Sequence, residues 1–232
     1  MTDLLFDPPK LHVLPVVGAT QGYPVARIFC VGRNYVAHAS EMGGTVDREA
    51  PWYFTKSVQA LCQSGQTVPY PPGTANYHHE MELVVALGGS IFKGSQSRAQ
   101  DVVFGYACGL DMTRRDLQQD GKDARRPWSL GKDFEHAAVI GAITPRDVMG
   151  TLGPQRITLD VGGRTRQEAQ LSDMVWSVPE IISHLSHYYH LGAGDLIMTG
   201  TPAGVGPVVA GDRLSGQIEG LSAVTHKVVA AD

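Results

Sequence analysis

Short apolar runs broken by glycine and proline dominate this chain, and helical periodicity is clear in only one place. Arg27–Gly32 (RIFCVG) predicts a buried strand and Trp52–Lys56 a shorter one. Residues 80–88 alternate and then become wholly apolar, as a strand does when it runs into a core, and 102–110 repeat that character. Residues 137–143, Arg156–Val161, 195–199 and Val224–Val229 read as further strands, with Gly162-Gly163 a hairpin turn. Helix is predicted as a turn or two at 34–42, a polar stretch at 113–119, and an amphipathic segment at 179–189. The last carries Ile181, Ile182, Leu185, Tyr188 and Tyr189 on one face, with proline in its first turn. Residues 49–51 read as a turn and 67–73 (TVPYPPG) as a proline-rich loop. Residues 1–24 read as an arm packed on a single domain of 25–232. Many strands and few short helices predict a mixed α+β, β-dominated fold, not alternating βαβ units.

Composition narrows the function. A chain of 232 residues, 43% hydrophobic, forms one domain and buries a core without disulfide support. Nineteen basic against 23 acidic residues, net −4, demand no basic face, so nucleic acid is not an expected partner. The 27 glycines and 14 prolines suit a turn-rich protein, and no window reaches the ~20 apolar residues of a membrane span. The acidic start has no basic n-region, so a signal peptide is not expected. Cys30, Cys62 and Cys108 are odd in number and form no CxxC pair, which argues for free thiols in a reducing cytoplasm. G-x-S-x-G, G-x-x-x-x-G-K-[ST] and G-x-G-x-x-G are all absent, so a nucleophile elbow and nucleotide loops are unsupported. His184, His187 and His190 recur at spacing three, whereas a ligand pair on a helix usually wants i, i+4. Solvated helix histidines are favoured there.

The informative segment is His78-His79-Glu80-Met81-Glu82-Leu83. On a strand, Glu80 and Glu82 share one face while Met81 and Leu83 enter the core. Two adjacent carboxylates are tolerable if a hard cation neutralises them; otherwise this is an exposed edge strand with two surface glutamates. Asp111 ends the second apolar run and adds a third carboxylate at a strand tip, a set suited to Mg2+ or Mn2+ with positions left open for substrate. His38 and Glu41 stand one helical turn apart, so Glu41 can orient the imidazole as a base, or the two are a plain surface pair. Residues 199–207 carry Gly200, Gly204 and Gly206, an anion-accepting backbone or a simple turn. Some of Arg114, Arg115, Lys122, Arg125, Arg126 and Lys132 could form a positive rim for a dicarboxylate.

From about residue 27 to 229 the chain resembles the fumarylacetoacetate hydrolase superfamily. The resemblance rests on Val31-Gly32-Arg33-Asn34-Tyr35 with His38 and Glu41; Phe54-Thr55-Lys56; His78 to Glu82; Gly109-Leu110-Asp111-Met112-Thr113 with Arg115, Asp116 and Gln118; Gly131-Lys132; and Thr199 to Pro207. It implies a β-roll or barrel, Glu80, Glu82 and Asp111 as ligands of Mg2+ or Mn2+, His38 and Glu41 as a water-activating dyad, and Lys132 facing substrate oxygens. It also implies a substrate-carboxylate contact at Thr201 and the Gly200 backbone, further substrate contacts at Arg33, Tyr35, Lys56, Arg115 and Gln118, and a homodimer. A small anionic 2-oxo acid is the implied partner, with Arg33 or Arg115 suited to its far carboxylate. Residues 68–72, 131–135 and 196–198 are most similar to the fumarylpyruvate hydrolase branch, which serves bacterial gentisate catabolism. Ser57, Glu135 and Gln170-Leu171 depart from common family residues and bear on substrate choice. The expected reaction is hydrolysis of a C–C bond in an acylpyruvate. Oxaloacetate decarboxylation, general acylpyruvase activity, 2-oxo acid tautomerisation and metal-dependent binding without turnover are the alternatives.

Overall fold

The structure, a computed structural model, describes residues 4–231; residues 1–3 of the acidic start and residue 232 lie outside it. An eight-stranded mixed sheet forms its centre. The order is Trp52–Lys56, Arg27–Gly32, Asp195–Met198, Met81–Leu87, Val103–Asp111, Ala138–Ile140 and Leu61–Gln63, with Thr144–Pro145 also paired to Val103–Asp111. A five-stranded sheet of Arg164–Gln170, Arg156–Val161, Arg213–Ile218, Val224–Val229 and Thr67–Pro69 packs against it. With six short helices among the described residues, the fold is β-dominated, as the sequence pattern predicts.

Met81–Leu87 lies at the middle of the large sheet, and its alternation separates two cores. Met81, Leu83, Val85 and Leu87 join one cluster, with Ile157, Leu159 and Leu214 of the smaller sheet and Ile181, Ile182 and Leu185 of the helix Val178–Leu185. Val84 and Ala86 join the other, with Ile28, Cys30, Leu196 and Met198, and with Leu14, Tyr23 and Val25 closing it from the N-terminal segment. Glu80 and Glu82 share the parity of Val84 and Ala86, so the pleat that buries the second core also places both carboxylates beyond its end.

Several local expectations change. Thr67–Pro69 is a strand, not a loop; it sits at the edge of its sheet, where proline does no damage to the ladder. Thr113–Arg114 pairs with Tyr77–His79, so helix begins only at Arg115. The amphipathic helix ends at Leu185, and beyond it Tyr188 and Tyr189 turn outward, 69% and 42% exposed. Strand Arg213–Ile218 and helix Gln96–Asp101 were not expected. All three cysteines are free and buried. His187 and His190 are exposed, while His184 Nδ1 lies 3.0 Å from the Tyr53 hydroxyl. No helix among the described residues is long and apolar enough to cross a membrane.

Candidate active site

Neighbouring strands converge on one group of carboxylates. Glu80 precedes Met81–Leu87, Glu82 lies within it, and Asp111 ends the adjacent strand Val103–Asp111. Oxygens of the three come within 4.8 Å of one another, and all three residues are buried. The surface-glutamate alternative is thereby excluded: Glu82 is 2% exposed in a central strand.

Three cations offset this charge. Lys132 Nζ lies 2.6 Å from Glu80 and 2.7 Å from Asp111, Lys56 Nζ lies 2.8 Å from Asp111, and Arg115 pairs with Glu80. Burial alone would push the Glu80 carboxyl up, but Lys132 and Arg115 beside it hold it well below the usual carboxylate range. Among the described residues Glu82 has no such cation at contact. It accepts one backbone N–H, from Gly200 at 2.8 Å. Burial, with Asp111 and Glu80 nearby, drives its carboxyl well above the usual range. An all-oxygen group with one carboxylate short of positive charge fits a hard divalent cation. Burial opposes the charge on Lys132, and Asp111 and Glu80 more than restore it.

His38, on the helix Val36–Glu41, comes to the same cleft. Its Nδ1–H donates to Glu41 Oε2 at 3.4 Å, which leaves Nε2 as the lone-pair nitrogen. Glu41 is fixed in turn by the Gly204 backbone N–H, 3.1 and 3.2 Å from its two oxygens. Burial lowers the His38 pKa against the opposing pull of Glu80 and Glu41. Asn34 ties this segment down, donating to the Thr199 and Trp176 carbonyls, each at 2.9 Å.

Gly204 gives a direct test of that tether. Its φ is +95°, and a Cβ there would meet the Arg166 carbonyl oxygen at 2.0 Å. Gly204→Ala should displace the 200–206 loop, loosen Glu41, and lower both the melting temperature and turnover. Unchanged melting and turnover would show that the loop is not held in this way.

The remaining expected contacts divide. Arg33, Arg115, Gln118 and Thr201 line the cleft with His38, Glu80, Glu82, Asp111 and Lys132. Arg115, however, is committed to Glu80 and, at 2.7 Å, to Gln118. Thr201 Oγ1 donates to the Met81 carbonyl and accepts from Gln167 Nε2, both at 2.8 Å. Lys56, Tyr35 and Gly200 are set behind the wall. Lys56 supports Asp111, the Gly200 N–H serves Glu82, and the buried Tyr35 hydroxyl has no hydrogen-bond partner among the described residues. Sequence reasoning missed the aromatic wall of Trp52, Phe54 and Trp128, the side of Lys122 that faces it, and Gln167. Gln167 reads as one polar residue among many in an exposed hairpin strand, yet it is buried and braces both Thr201 and the Met81 N–H. The cleft has about 30 Å3 of free volume. A larger groove of about 890 Å3 runs past Tyr106, Arg146, Leu152, Met174 and Val178, but the carboxylates, His38 and Lys132 all lie in the small cleft.

A β-dominated scaffold that buries a carboxylate triad beside a tethered histidine has the groups that metal-assisted catalysis needs. The profile "Fumarylacetoacetate (FAA) hydrolase C-terminal" matches residues 27–229, and the chain belongs to that family. It is 50% identical over 194 residues to the fumarylpyruvate hydrolase of a Ralstonia species, covering 82% of this chain and 100% of the relative. It is 41% identical over 201 residues to the mitochondrial oxaloacetate tautomerase FAHD1 of Homo sapiens, covering 87% and 90%. The crystal structure of fumarylpyruvate hydrolase from Pseudomonas aeruginosa, in complex with Mn2+ and pyruvate, superposes with a TM-score of 0.93 at 43% identity, covering 98% of this chain and 100% of that one.

Proposed function

We propose that this chain hydrolyses the C–C bond of an acylpyruvate, fumarylpyruvate above all, to fumarate and pyruvate. The observation that carries the reading is the joining in one cleft of a buried carboxylate triad, a histidine tethered through Glu41, and a lysine hydrogen-bonded to two of the carboxylates. The 50% identity to a fumarylpyruvate hydrolase, and the Mn2+ and pyruvate in the Pseudomonas enzyme, support it. Glu80, Glu82 and Asp111 are the residues that would hold Mg2+ or Mn2+, which when bound supplies Lewis acidity toward the oxygens of a 2-oxo acid. His38 takes a proton from water at Nε2 while Glu41 stabilises the imidazolium that forms. The hydroxide adds to the C4 carbonyl, the C3–C4 bond breaks, and its electron pair leaves with pyruvate as the enolate, which is then protonated at C3. Lys132 keeps a positive charge beside that developing oxyanion, and Arg115 and Gln118 shape the wall.

A homodimer, a cytoplasmic setting and a place in gentisate breakdown go with this reading. The three buried free thiols agree with a reducing compartment. The oxaloacetate tautomerase relatives make keto–enol interconversion the competing activity. One assay separates the two. With Mn2+, fumarylpyruvate should lose its enol-diketone absorbance and yield equal amounts of fumarate and pyruvate, and EDTA should stop the reaction. Absorbance loss without pyruvate, or rapid oxaloacetate tautomerisation with fumarylpyruvate untouched, would overturn hydrolysis.

A further inference from the structure

The cleft has more positive charge than its carboxylates use. Arg115 and Lys132 are taken up by Glu80 and Asp111. Arg33 and Lys122 also line the cleft, both half-buried, and neither has an anionic partner among the described residues. Arg33 adopts φ +54°, a left-handed backbone rare outside glycine, and its guanidinium lies so close over Gly44 that a Cβ there would meet Nη1 at 2.8 Å. Such strain persists only where the surroundings over-determine it, and it concentrates at ligand clamps. Lys122 Nζ stands 5.1 Å from the Trp128 ring centroid. Burial, then Arg115 and Arg33, disfavour its charge. Two unpaired cations lining one cleft repel each other, and an arriving anion removes that repulsion.

The aromatic wall gives this charge a direction. Lys132 Nζ lies 5.0 Å from the Phe54 centroid, Phe54 lies 6.2 Å from Trp128, and Lys122 stands over Trp128. Trp52 closes the strip edge-on to Trp128 at 4.9 Å. From the carboxylate triad the wall therefore runs past two rings to a second ammonium group. A planar, conjugated acyl chain lies flat on such a strip with its far end at Lys122.

We propose that Lys122, seated over Trp128 beside Arg33, is the receptor for the distal carboxylate of the acyl group, and so selects dicarboxylic acylpyruvates over uncharged ones. This rests on the acylpyruvate hydrolase reading and adds a specificity residue to it. Lys122 touches the non-reacting end, so its removal acts on selection between substrates.

The test compares wild type with Lys122→Met, which keeps the stem over Trp128 and removes the charge. Substrates are fumarylpyruvate and acetylpyruvate, with Mn2+ present. Loss of one charge-assisted hydrogen bond predicts a fall of roughly 10–100-fold in the ratio of kcat/KM for fumarylpyruvate to that for acetylpyruvate. The fall should appear mainly in KM for fumarylpyruvate, and Lys122→Arg should restore most of the ratio. An unchanged ratio, whether both values fall together or neither does, would overturn the subsite and leave the hydrolase reading standing. A wild-type enzyme that releases pyruvate from neither substrate would overturn the hydrolase reading, and the subsite with it.

Discussion

His38→Ala should lower kcat on fumarylpyruvate by about 10^2–10^4-fold, the usual worth of a positioned general base, while Mn2+ still raises the melting temperature. The split follows from geometry. His38 stands outside the carboxylate group that would hold the ion, and its nearest fixed partner is Glu41. Burial lowers its pKa more than Glu80 and Glu41 raise it, so the imidazole is neutral and ready to accept a proton at neutral pH. The acid limb of kcat/KM should therefore lie below the ordinary imidazole value of about 6.5. Glu41 favours the protonated ring, so Glu41→Gln should move that limb to still lower pH while kcat falls. A limb that stays in place would mean Glu41 acts only as a spacer. Wild-type turnover in His38→Ala would remove the histidine from the mechanism altogether.

What the sequence made legible was whatever follows from local periodicity. The alternation of 80–88 put Glu80 and Glu82 on one face, because strand parity is rigid, and the acid at 111 read as a third carboxylate at a strand tip; that the two strands are neighbours is a property of the fold. One helical turn brings His38 and Glu41 together, and the resemblance made them a dyad where spacing alone left a plain surface pair open. Strand Arg213–Ile218 stayed hidden because its inward positions are Leu214, Gly216 and Ile218. Gly216 lacks a side chain where Met81 packs: a Cβ there would meet Met81 Sδ at 2.4 Å. Local pattern put Lys132 only among the candidates for a positive rim, and the resemblance assigned it to substrate oxygens; the fold buries it at the end of helix Ser129–Lys132 between Glu80 and Asp111. Lys56 and the Gly200 N–H were expected against substrate, whereas the fold places them behind the carboxylates as supports. No local pattern distinguishes a residue that faces a ligand from one that faces the ligand's holder. That distinction arises from long-range packing, as does the joining of Trp52 and Phe54 with Trp128 into one wall.

Glu82→Gln should abolish most of the metal-induced rise in melting temperature, and it should do so without weakening the metal-free fold. Saturating wild type at a hundredfold above its Kd is worth about 2.7 kcal/mol, or roughly 5–10 °C for a chain of this size. Glutamine keeps the shape and can still accept the Gly200 N–H, but it brings no charge to the cation. In the metal-free protein the sign reverses. Burial, Asp111 and Glu80 raise the folded-state pKa of Glu82 well above its unfolded value, so the folded state binds this proton more tightly than the unfolded chain does. Ionising Glu82 therefore costs stability as pH rises from the ordinary carboxylate range toward the raised value, and glutamine escapes that loss. Metal-free Glu82→Gln should accordingly melt at or above wild type near neutral pH, with the gap widening as pH rises. Because proton and metal compete for the same oxygens, Mn2+ binding to wild type should release a proton wherever the pH lies below the raised Glu82 value, visible as buffer-dependent heat in calorimetry, and this release should vanish in the variant. A full Mn2+-induced rise in Glu82→Gln would take Glu82 out of the ligand set. A metal-free variant that melts well below wild type would show that the glutamate serves the fold and not the ion.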